Sequence, residues 1–269
     1  MIMTSVLERF ATDPLRGSID TGAIDLGWSE APWDSAVFGY PVVQISRIEA
    51  RDGATAADLA PFVAACAAGG VGLASCRLAC ERLRESMLLE EIGFRFIEMV
   101  YQPEFGDLAS AGPGDVQGLE VVRAGAADLA EIVEVAGAAF RNERFHVDPR
   151  LSSQLGDLRY QNWVRSSLEH PTQRLYVLRE DGQLVAFFVT ELLADGTCYW
   201  HLNAVAPARQ GQGYGMRAWK AMMCRARIDG ASRVRTSIVA RNHRVLNLYA
   251  RLGFSFPAPS MTFHWVRPR

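Results

Sequence analysis

The sequence contains little of what marks several large classes of protein. Its five cysteines include no Cys-x-x-Cys pair, and the spacing of Cys76 and Cys80 suits no common metal site. We therefore expect no metal and a reduced, cytoplasmic protein. No apolar run reaches the ~20 residues that a membrane-spanning helix needs, and the first residues lack the apolar core of a secretion signal.

An excess of charge of one sign is also absent. The 30 acidic residues nearly balance the 28 Lys and Arg, which gives a formal net charge of −2 at pH 7. A nucleic-acid-binding protein usually carries a basic stripe, so we expect a small-molecule partner and neither nucleic acid nor membrane. The Gly-Lys-Ser/Thr ending of a Walker loop is missing as well. The sequence leaves open whether the protein forms a homodimer.

Glycine, by contrast, is concentrated in one short stretch. Gln210-Gly-Gln-Gly-Tyr-Gly215 follows an apolar run that ends near Val205 and precedes a helical pattern over 216–229. Glycines let the backbone turn so that several N–H groups point at one place, and the dipole of the following helix adds positive potential there. The stretch therefore predicts a pyrophosphate-binding loop built mainly from main chain.

The loop alone leaves another interpretation open. Gly213-x-Gly215-x-x-Ala218 fits a relaxed dinucleotide fingerprint, with Arg241 as a contact for an NADP phosphate. However, residues 206–210 separate the preceding strand from the glycines, and only 54 residues follow Gly215. That length is too short for the rest of a doubly wound sheet. An ordinary glycine-rich connection is the remaining alternative.

A second motif lies nearer the end of the sequence. Asn242 precedes Leu248-Tyr-Ala-Arg-Leu-Gly-Phe254, where a short helix over 244–251 is expected to end at Gly253. Together with Gln210-x-x-Gly213-x-Gly215, these residues resemble the GNAT acyl-CoA N-acyltransferases, whose loop reads Gln/Arg-x-x-Gly-x-Gly/Ala. The resemblance implies an α/β (α+β) GNAT fold, with a mixed, largely antiparallel sheet flanked by helices, and acetyl-CoA as co-substrate.

The same resemblance implies the site residues. Tyr249 matches the tyrosine that protonates the departing CoA thiolate, which a phenol within hydrogen-bond reach can do; packing at the core is its alternative role. Strand 200–205 is expected to splay from strand 234–240, so that one of its N–H groups polarises the thioester carbonyl. The residues expected to bind acetyl-CoA are Asn203, Ala204, Val205, Gln210, Gly211, Gln212, Gly213, Tyr214, Gly215, Met216, Asn242 and Asn247, although helix capping alone also accounts for Asn242.

The general base is the least defined part of the site. The candidates are His201, Glu191 and the acidic and basic cluster over 143–148, and of these we name His201 as the candidate catalytic residue. A lone strand histidine is more often simply packed and hydrogen-bonded. A water chain to solvent is an equal alternative.

The chain also contains an internal repeat. The Gly-, Pro- and Ser-rich segment around 106–115 predicts a linker, which gives a degenerate, truncated GNAT-like domain over 1–105, a linker over 106–116 and an acetyl-CoA-binding GNAT domain over 117–269. Leu89-Glu-Glu-Ile-Gly-Phe94 repeats the pattern that starts at Tyr249, within the same order of elements. Because Leu89 stands where Tyr249 does, only the second domain is expected to bind CoA.

A finer resemblance concerns the acceptor. Trp33-Asp-Ser-x-x-Phe38-Gly39 and Arg144-Phe-His146, with Asn242 and Tyr249, resemble the TDP-fucosamine acetyltransferase family, which acetylates a 4-amino sugar on a nucleotide carrier. Arginine and histidine suit a diphosphate, and aromatic rings suit a base or a sugar, although packing is an equal role for Trp33, Phe38 and Trp163. The expected acceptor-binding residues are Trp33, Phe38, Arg144, His146, Tyr160, Trp163 and Glu191.

These observations predict an enzyme that transfers acetyl directly from acetyl-CoA to a primary amine of an amino sugar, with a nucleotide-linked sugar as the preferred acceptor. Three alternatives stay open. The acceptor is another small amine, such as an amino acid, a polyamine or an aminoglycoside; it is a protein amine; or the chain is a CoA-binding regulatory module without turnover.

Overall fold

A computed structural model describes residues 14–110 and 118–268. The strands are β1 Arg16–Asp20, β2 Ile24–Glu30, β3 Val42–Ala50, β4 Leu73–Ala79, β5 Arg95–Tyr101, β6 Glu104–Phe105, β7 Glu120–Arg123, β8 Gln173–Glu180, β9 Gln183–Leu192, β10 Thr197–Val205, β11 Arg233–Thr236, β12 Ile238–Val239 and β13 Ser260–Val266. The helices are α1 Pro32–Phe38, α2 Ala60–Ala68, α3 Leu83–Glu91, α4 Leu129–Ala139, α5 Arg144–Val147, α6 Ser153–Ser167, α7 Tyr214–Ile228 and α8 His243–Arg251. Within this part of the chain no helix is long and apolar enough to cross a membrane.

The chain folds into two units. Of the described residues, those up to Met99, those of Val147–Leu155 and those from Ala258 onward belong to the first unit. The described residues of Val100–His146 and Gly156–Pro257 belong to the second. Residues 111–116 of the predicted linker lie outside the described part, so the division of the chain at 106–116 stays a prediction. The two units do not correspond to a single cut at the linker. The first unit includes Val147–Leu155 and residues from Ala258 onward, and the second unit includes residues 100–105.

The first unit is built on one mixed sheet, in the order β1-β2-β3-β4-β13-β5. β3 and β4 are parallel, whereas β1 and β13 run antiparallel to their neighbours β2 and β4. Phe62 of α2 and Leu89 of α3 are buried in the apolar cluster that these helices form with the sheet. Burial of each such side chain contributes about 1.5–3 kcal/mol.

The second unit is built on a sheet in the order β6-β11-β10-β9-β8-β7. Among its described strands, only the neighbours β10 and β11 are parallel. Asp181 and Gly182 adopt positive φ between β8 and β9, which is the backbone that the predicted tight turn requires. Trp219 of α7 packs in a cluster on one face of the sheet, and Ile132 of α4 packs in a second cluster on the other face. Mixed sheets with helices around them confirm the predicted α/β class.

Each parallel pair has an antiparallel strand beside its second member. In the first unit this strand is β13, from the end of the chain, which pairs with β4 over seven residues. In the second unit it is β6, from before residue 106, which pairs with β11. Glu104 of β6 accepts a hydrogen bond from Arg235 of β11 at 2.7 Å. The two sheets therefore share this order of parallel and antiparallel strands, while the predicted internal repeat stays a prediction.

A buried ion-pair cluster stabilises the first unit. Asp148 and His264 are buried, and His264 Nδ1 lies 3.0 Å from Asp148 Oδ2. Arg150 donates to the same carboxylate at 2.8 Å and to the His264 carbonyl at 3.1 Å. Burial alone would raise the pKa of Asp148, but the hydrogen bonds from His264 and Arg150 outweigh it and hold this pKa well below its ordinary value.

We expect Asp148→Asn to lower the free energy of unfolding by about 3–5 kcal/mol, because it removes a buried carboxylate that accepts from the half-buried Arg150 guanidinium and lies against the buried His264 ring. The control is Asp25→Asn, which removes a partly exposed pair with Arg47 in the same unit and is expected to cost at most about 1 kcal/mol. Since the pKa of Asp148 is depressed in the folded state, its contribution to stability is fully present above the pKa of the unfolded state. This contribution is lost as the pH falls from that value through the pKa of the folded state. Urea unfolding at neutral and acidic pH measures both effects; equal losses for the two variants would contradict this account.

Candidate active site

The glycine loop connects β10 to α7 through a conformation that favours glycine. Gly211 and Gly213 have φ values of +80° and +85°, where side chains are strained. A Cβ atom at either position would meet no heavy atom within 4 Å, so the backbone conformation, rather than crowding, requires glycine. Both residues are exposed at the start of α7, where the first N–H groups of a helix have no intrahelical partner. The loop therefore fits a diphosphate such as the one that CoA carries.

Two glutamine side chains hold the loop in shape. Gln210 Nε2 donates to the Val205 carbonyl at 3.1 Å, and Gln212 Nε2 donates to the Ala208 carbonyl at 2.8 Å. A short 3₁₀ segment, Pro207–Arg209, directly precedes Gln210. In the structure both predicted glutamines thus support the main chain of the loop.

The first turn of α7 is attached to β8 and α8. The buried Tyr214 hydroxyl and the Arg217 guanidinium both donate to the Glu180 carboxylate. That hydrogen bond raises the pKa of Tyr214, whose side chain is turned toward β8. A Cβ atom on Gly215 would lie 3.4 Å from Leu248 Cδ2, so glycine permits the close approach of α7 and α8. Met216 is half-buried in this turn.

Strands β10 and β11 part after four paired residues. The last pair is Trp200 with Thr236, and the Thr236 hydroxyl donates to the Trp200 carbonyl at 2.9 Å. The sequence predicts one continuous strand over 234–240, but the chain breaks at Ser237, and β12 pairs instead with Val100 and Tyr101. Among the described residues, no strand therefore pairs with the second half of β10 on that edge.

The open edge of β10 presents main-chain groups. The Ala206 N–H donates to the Val185 carbonyl of β9 at 2.8 Å. Because successive residues of a strand direct their N–H and C=O groups to opposite edges, Ala204 also faces β9, and Asn203 and Val205 face the open edge. The Val205 carbonyl accepts from Gln210, while the Val205 N–H and the main-chain groups of Asn203 have the orientation needed to pair with an extended amide chain such as pantetheine.

Tyr249 lies at the same point, on α8. Its side chain is 1% exposed and packs edge-on against Phe254, with ring centroids 4.9 Å apart. Burial raises the pKa of Tyr249 to about 12, while the nearby polar groups of Trp219, Thr236 and Asn203 act in the opposite direction. The phenol is therefore protonated at neutral pH, and its hydroxyl lies beside the end of the β10–β11 pairing.

The two asparagines of α8 differ in their surroundings. Asn242 is the N-cap of α8 and accepts a hydrogen bond from the Val245 N–H at 3.4 Å. Asn247 is exposed on the same helix, and its carbonyl accepts from Arg251. The structure thus gives Asn242 a capping role, and binding of acetyl-CoA by either residue stays a prediction.

His201 and Glu191 form a pair, with His201 Nε2 2.9 Å from Glu191 Oε2. His201 contacts Trp163 of α6, with ring centroids 6.0 Å apart. The pair therefore lies on the α6 face of the sheet, whereas Tyr249 lies beside Trp219 of α7 on the opposite face.

The other predicted acceptor residues are distributed over both units. The His146 side chain is buried, and its Nε2 atom lies 2.8 Å from Asp157 Oδ1. The His146 ring stacks on Tyr160. The Arg144 guanidinium lies 4.6 Å from the centre of the Phe145 ring. In the first unit Trp33 is 64% exposed, whereas Phe38 is buried and packs against Tyr40. The second unit thus brings Arg144, His146, Tyr160 and Trp163 into one aromatic region, and Trp33 and Phe38 belong to the first unit.

Several residues next to these side chains were missed at the sequence level. Thr236 and Trp219 surround the Tyr249 hydroxyl, and Tyr199 contacts the His201 ring. The alternation Tyr199-x-His201 along a strand was a usable signal for the last of them. No sequence pattern marks Thr236, because its place beside Tyr249 depends on where β10 and β11 separate. Within the described residues no cluster of His, Cys, Asp and Glu suits a metal ion.

Comparison with known proteins fits this geometry. A model of the Acetyltransferase (GNAT) family matches residues 131–254, which include the glycine loop, the parted strands and Tyr249. This part of the chain is a GNAT acetyltransferase domain. The predicted family is therefore confirmed for it, and acetyl-CoA is the co-substrate that this family uses.

Relatives of known name or structure extend the comparison. The chain is 24% identical over 162 residues to the spore coat polysaccharide biosynthesis protein SpsD of Bacillus subtilis, covering 60% of this chain and 51% of SpsD. The chain thus spans about half the length of this curated relative.

Two solved structures share the fold over nearly the whole chain. A GCN5-related N-acetyltransferase from Kribbella flavida has a TM-score of 0.58 at 17% identity, covering 98% of this chain and 93% of its own. A tandem GNAT protein from the clavulanic acid biosynthesis pathway has a TM-score of 0.61 at 13% identity, covering 100% and 88%. These likenesses confirm the GNAT fold.

Proposed function

We propose that this protein transfers an acetyl group from acetyl-CoA to the primary amine of an amino sugar carried on a nucleotide. The observation that carries the transfer is the buried, protonated Tyr249 at the point where β10 and β11 part. The glycine loop supplies N–H groups for the diphosphate of the donor, and the open edge at Asn203 and Val205 suits its pantetheine arm. The thioester supplies the activated acetyl group.

The roles of the protein groups follow from this arrangement. An N–H on the open edge of β10 polarises the acetyl carbonyl as negative charge grows on its oxygen. The amine nitrogen attacks the acetyl carbon, the carbon–sulfur bond breaks, and Tyr249 donates its proton to the sulfur. Cys198 is buried, and burial raises the pKa of its thiol to about 11, which disfavours a thiolate nucleophile there. Direct transfer without a covalent enzyme intermediate is therefore part of the proposal.

The acceptor class has two supports. The curated relative is a polysaccharide biosynthesis protein, and the motifs around Trp33, Phe38, Arg144 and His146 resemble those of acetyltransferases for nucleotide-linked amino sugars. In the second unit, aromatic rings and guanidinium groups lie together on α5 and α6. Such a surface suits a sugar ring and a diphosphate.

A competition experiment tests the acceptor class. The protein is incubated with acetyl-CoA and an equimolar mixture of a nucleoside-diphosphate 4-amino sugar, glucosamine, an amino acid, 1,4-diaminobutane, an aminoglycoside and a lysine peptide. We expect mass spectrometry to detect acetylation of the nucleotide-linked sugar first. Faster acetylation of a polyamine or peptide would support that acceptor class instead. Binding of acetyl-CoA without any acetylated amine would support the regulatory module.

Arg144→Ala is expected to raise the KM of a nucleoside-diphosphate amino sugar by roughly ten- to a hundredfold, because one charge-assisted hydrogen bond is worth about 1.5–3 kcal/mol. The KM of acetyl-CoA should change little. Arg165→Ala is the control, since Arg165 is exposed on α6 and bonds Asn162. Steady-state kinetics with each substrate varied would detect the difference. An unchanged acceptor KM would remove Arg144 from the proposed site.

A further inference from the structure

A row of polar side chains crosses the sheet of the second unit at one end. Gln173 of β8 lies opposite Glu191 of β9, and Glu191 lies opposite Tyr199 of β10. All of these residues and His201 are partly exposed, whereas Trp200 and Leu202 beside them are buried. The polar row is therefore accessible to a small molecule at a place where the rest of the sheet is covered.

His201 owes its position to an irregularity in β10. The register between β10 and β9 shifts between Trp200 and Leu202. As a result Trp200 packs in the cluster with α7, and Leu202 packs in the cluster with α4 on the other face. His201 occupies the shift itself, directly after the last residue that pairs with β11. Its imidazole is thus at the point where the strands part.

Neighbouring groups fix the orientation of the imidazole. His201 Nε2 lies 2.9 Å from Glu191 Oε2. A hydrogen bond from the Thr172 hydroxyl, with a smaller effect of the His201 ring, lowers the pKa of Glu191 below its ordinary value, although burial acts in the opposite direction. Glu191 is therefore ionised and accepts a hydrogen bond from His201 Nε2. Among the residues that the structure describes, His201 Nδ1 has no hydrogen-bond partner. In this tautomer the Nδ1 lone pair is available to take a proton.

Two aromatic rings lie against the imidazole. The centroid of the Tyr199 ring is 4.9 Å from that of His201, and the centroid of the Trp163 ring is 6.0 Å away. The Trp163 indole N–H donates to Gln173 Oε1 at 3.3 Å, which fixes the indole plane. Aromatic faces bind the apolar C–H face of a cyclic sugar better than a flexible chain, because a rigid ring loses less conformational entropy on binding.

We propose that His201 is the general base of the acetyl transfer, that Glu191 is its positioning residue, and that Trp163 and Tyr199 form a subsite for a cyclic amine. This inference rests on the proposed function. His201 Nδ1 takes one proton from the ammonium group, and the neutral amine then forms the nitrogen–carbon bond while the carbon–sulfur bond breaks. The nitrogen then loses a second proton to solvent. Solvent returns one proton to Tyr249, which has given its own proton to the sulfur. His201 releases its proton to solvent, so the whole reaction yields the amide, CoA thiol and one proton.

The base is tested with the best acceptor amine from the competition panel. His201→Gln is expected to lower kcat/KM for that amine by roughly 10²-fold and to leave acetyl-CoA affinity unchanged. The loss should shrink across a series of analogues with increasingly acidic ammonium groups, since these need less help from a base. Added imidazole should restore part of the activity of His201→Ala and have no effect on the wild type. Glu191→Gln should give a smaller loss, of about tenfold, with the same dependence on the amine.

The subsite is tested by comparing glucosamine with 1,4-diaminobutane as acceptors. Trp163→Leu should raise the KM of the cyclic amine by about three- to tenfold and leave that of the linear amine nearly unchanged. Trp163→Phe, which keeps a ring, should retain most of the preference. Equal changes for both amines would overturn the subsite.

The outcomes separate this inference from the proposed function. An active wild type with a His201→Gln loss that is the same for every amine, and with no rescue by imidazole, would overturn His201 as the base and leave acetyl transfer intact. A wild type that acetylates no amine of the panel would overturn both.

Discussion

Replacing Tyr249 by phenylalanine is expected to lower kcat by roughly 10²–10⁴-fold with little change in the affinity for acetyl-CoA. The substitution keeps the ring that packs against Phe254 and removes only the hydroxyl. Without it, the sulfur must leave as a thiolate in a poorly solvated place. Stopped-flow or steady-state release of CoA thiol measures kcat, and titration calorimetry measures the affinity.

The pKa values around the site support this effect. A phenol with a pKa near 12 is a poor acid toward an ordinary thiolate in water, whose conjugate acid has a pKa of about 8.5. Burial changes the comparison, because it raises the pKa of Cys198 on β10 to about 11. Low polarity around a departing thiolate acts in the same direction, so the difference in pKa between the phenol and the thiol is smaller in the site than in water.

Tyr176→Phe provides the matched control for Tyr249→Phe. It also removes a buried hydroxyl in the second unit, one that donates to Asp229 at 2.6 Å, but it lies outside the proposed site. We expect a loss of stability of about 0.5–1.5 kcal/mol and unchanged kcat. Near-wild-type turnover of Tyr249→Phe, with chemistry shown to be rate-limiting, would make Tyr249 a packing residue.

Gly213→Val is expected to weaken acetyl-CoA binding by at least about 100-fold. Gly213 has φ +85°, where a β-branched residue is strained by about 1–3 kcal/mol, so the loop will relax to another conformation. That relaxation turns away the N–H groups at the start of α7. Loss of two charge-assisted hydrogen bonds, each worth about 1.5–3 kcal/mol, accounts for the expected factor.

The control for strain is a glycine at the other end of the same helix. Gly230 has φ +94°, is exposed, and a Cβ atom there would also meet nothing within 4 Å. Gly230→Val should therefore cost similar stability and leave acetyl-CoA binding intact. Calorimetric titration of both variants separates strain from loss of the binding loop. Equal affinities in the two variants would contradict a diphosphate site at Gly213.

The elements around the glycine loop could be predicted from sequence because local chemistry determines them. A helix was predicted over 216–229 and lies at Tyr214–Ile228, since its apolar residues repeat with the helical period. A short helix was predicted over 244–251 and lies at His243–Arg251, since Gly253 with φ +86° ends it. Positive φ restricts the residue type strongly, so glycine positions carry structural information in the sequence itself.

The features that depend on distant parts of the chain could not be predicted in this way. The strand expected over 234–240 breaks into β11 and β12 because Ile238 and Val239 pair with Tyr101 and Val100. β13 lies in the first unit and β6 in the second, and neither placement leaves a local pattern. The register shift that positions His201 beside Glu191 depends on the pairing of β10 with β9. The residue roles at the site consequently stay predictions, while the fold and the family of residues 131–254 are established.

The most direct test of the central claim is the amine-dependent release of CoA thiol by the purified protein. We predict that thiol release from acetyl-CoA requires an amino sugar and matches the amount of acetylated amine found by mass spectrometry. The rate should fall by roughly 10²–10⁴-fold in Tyr249→Phe. Tight acetyl-CoA binding with thiol release that no amine accelerates would contradict it.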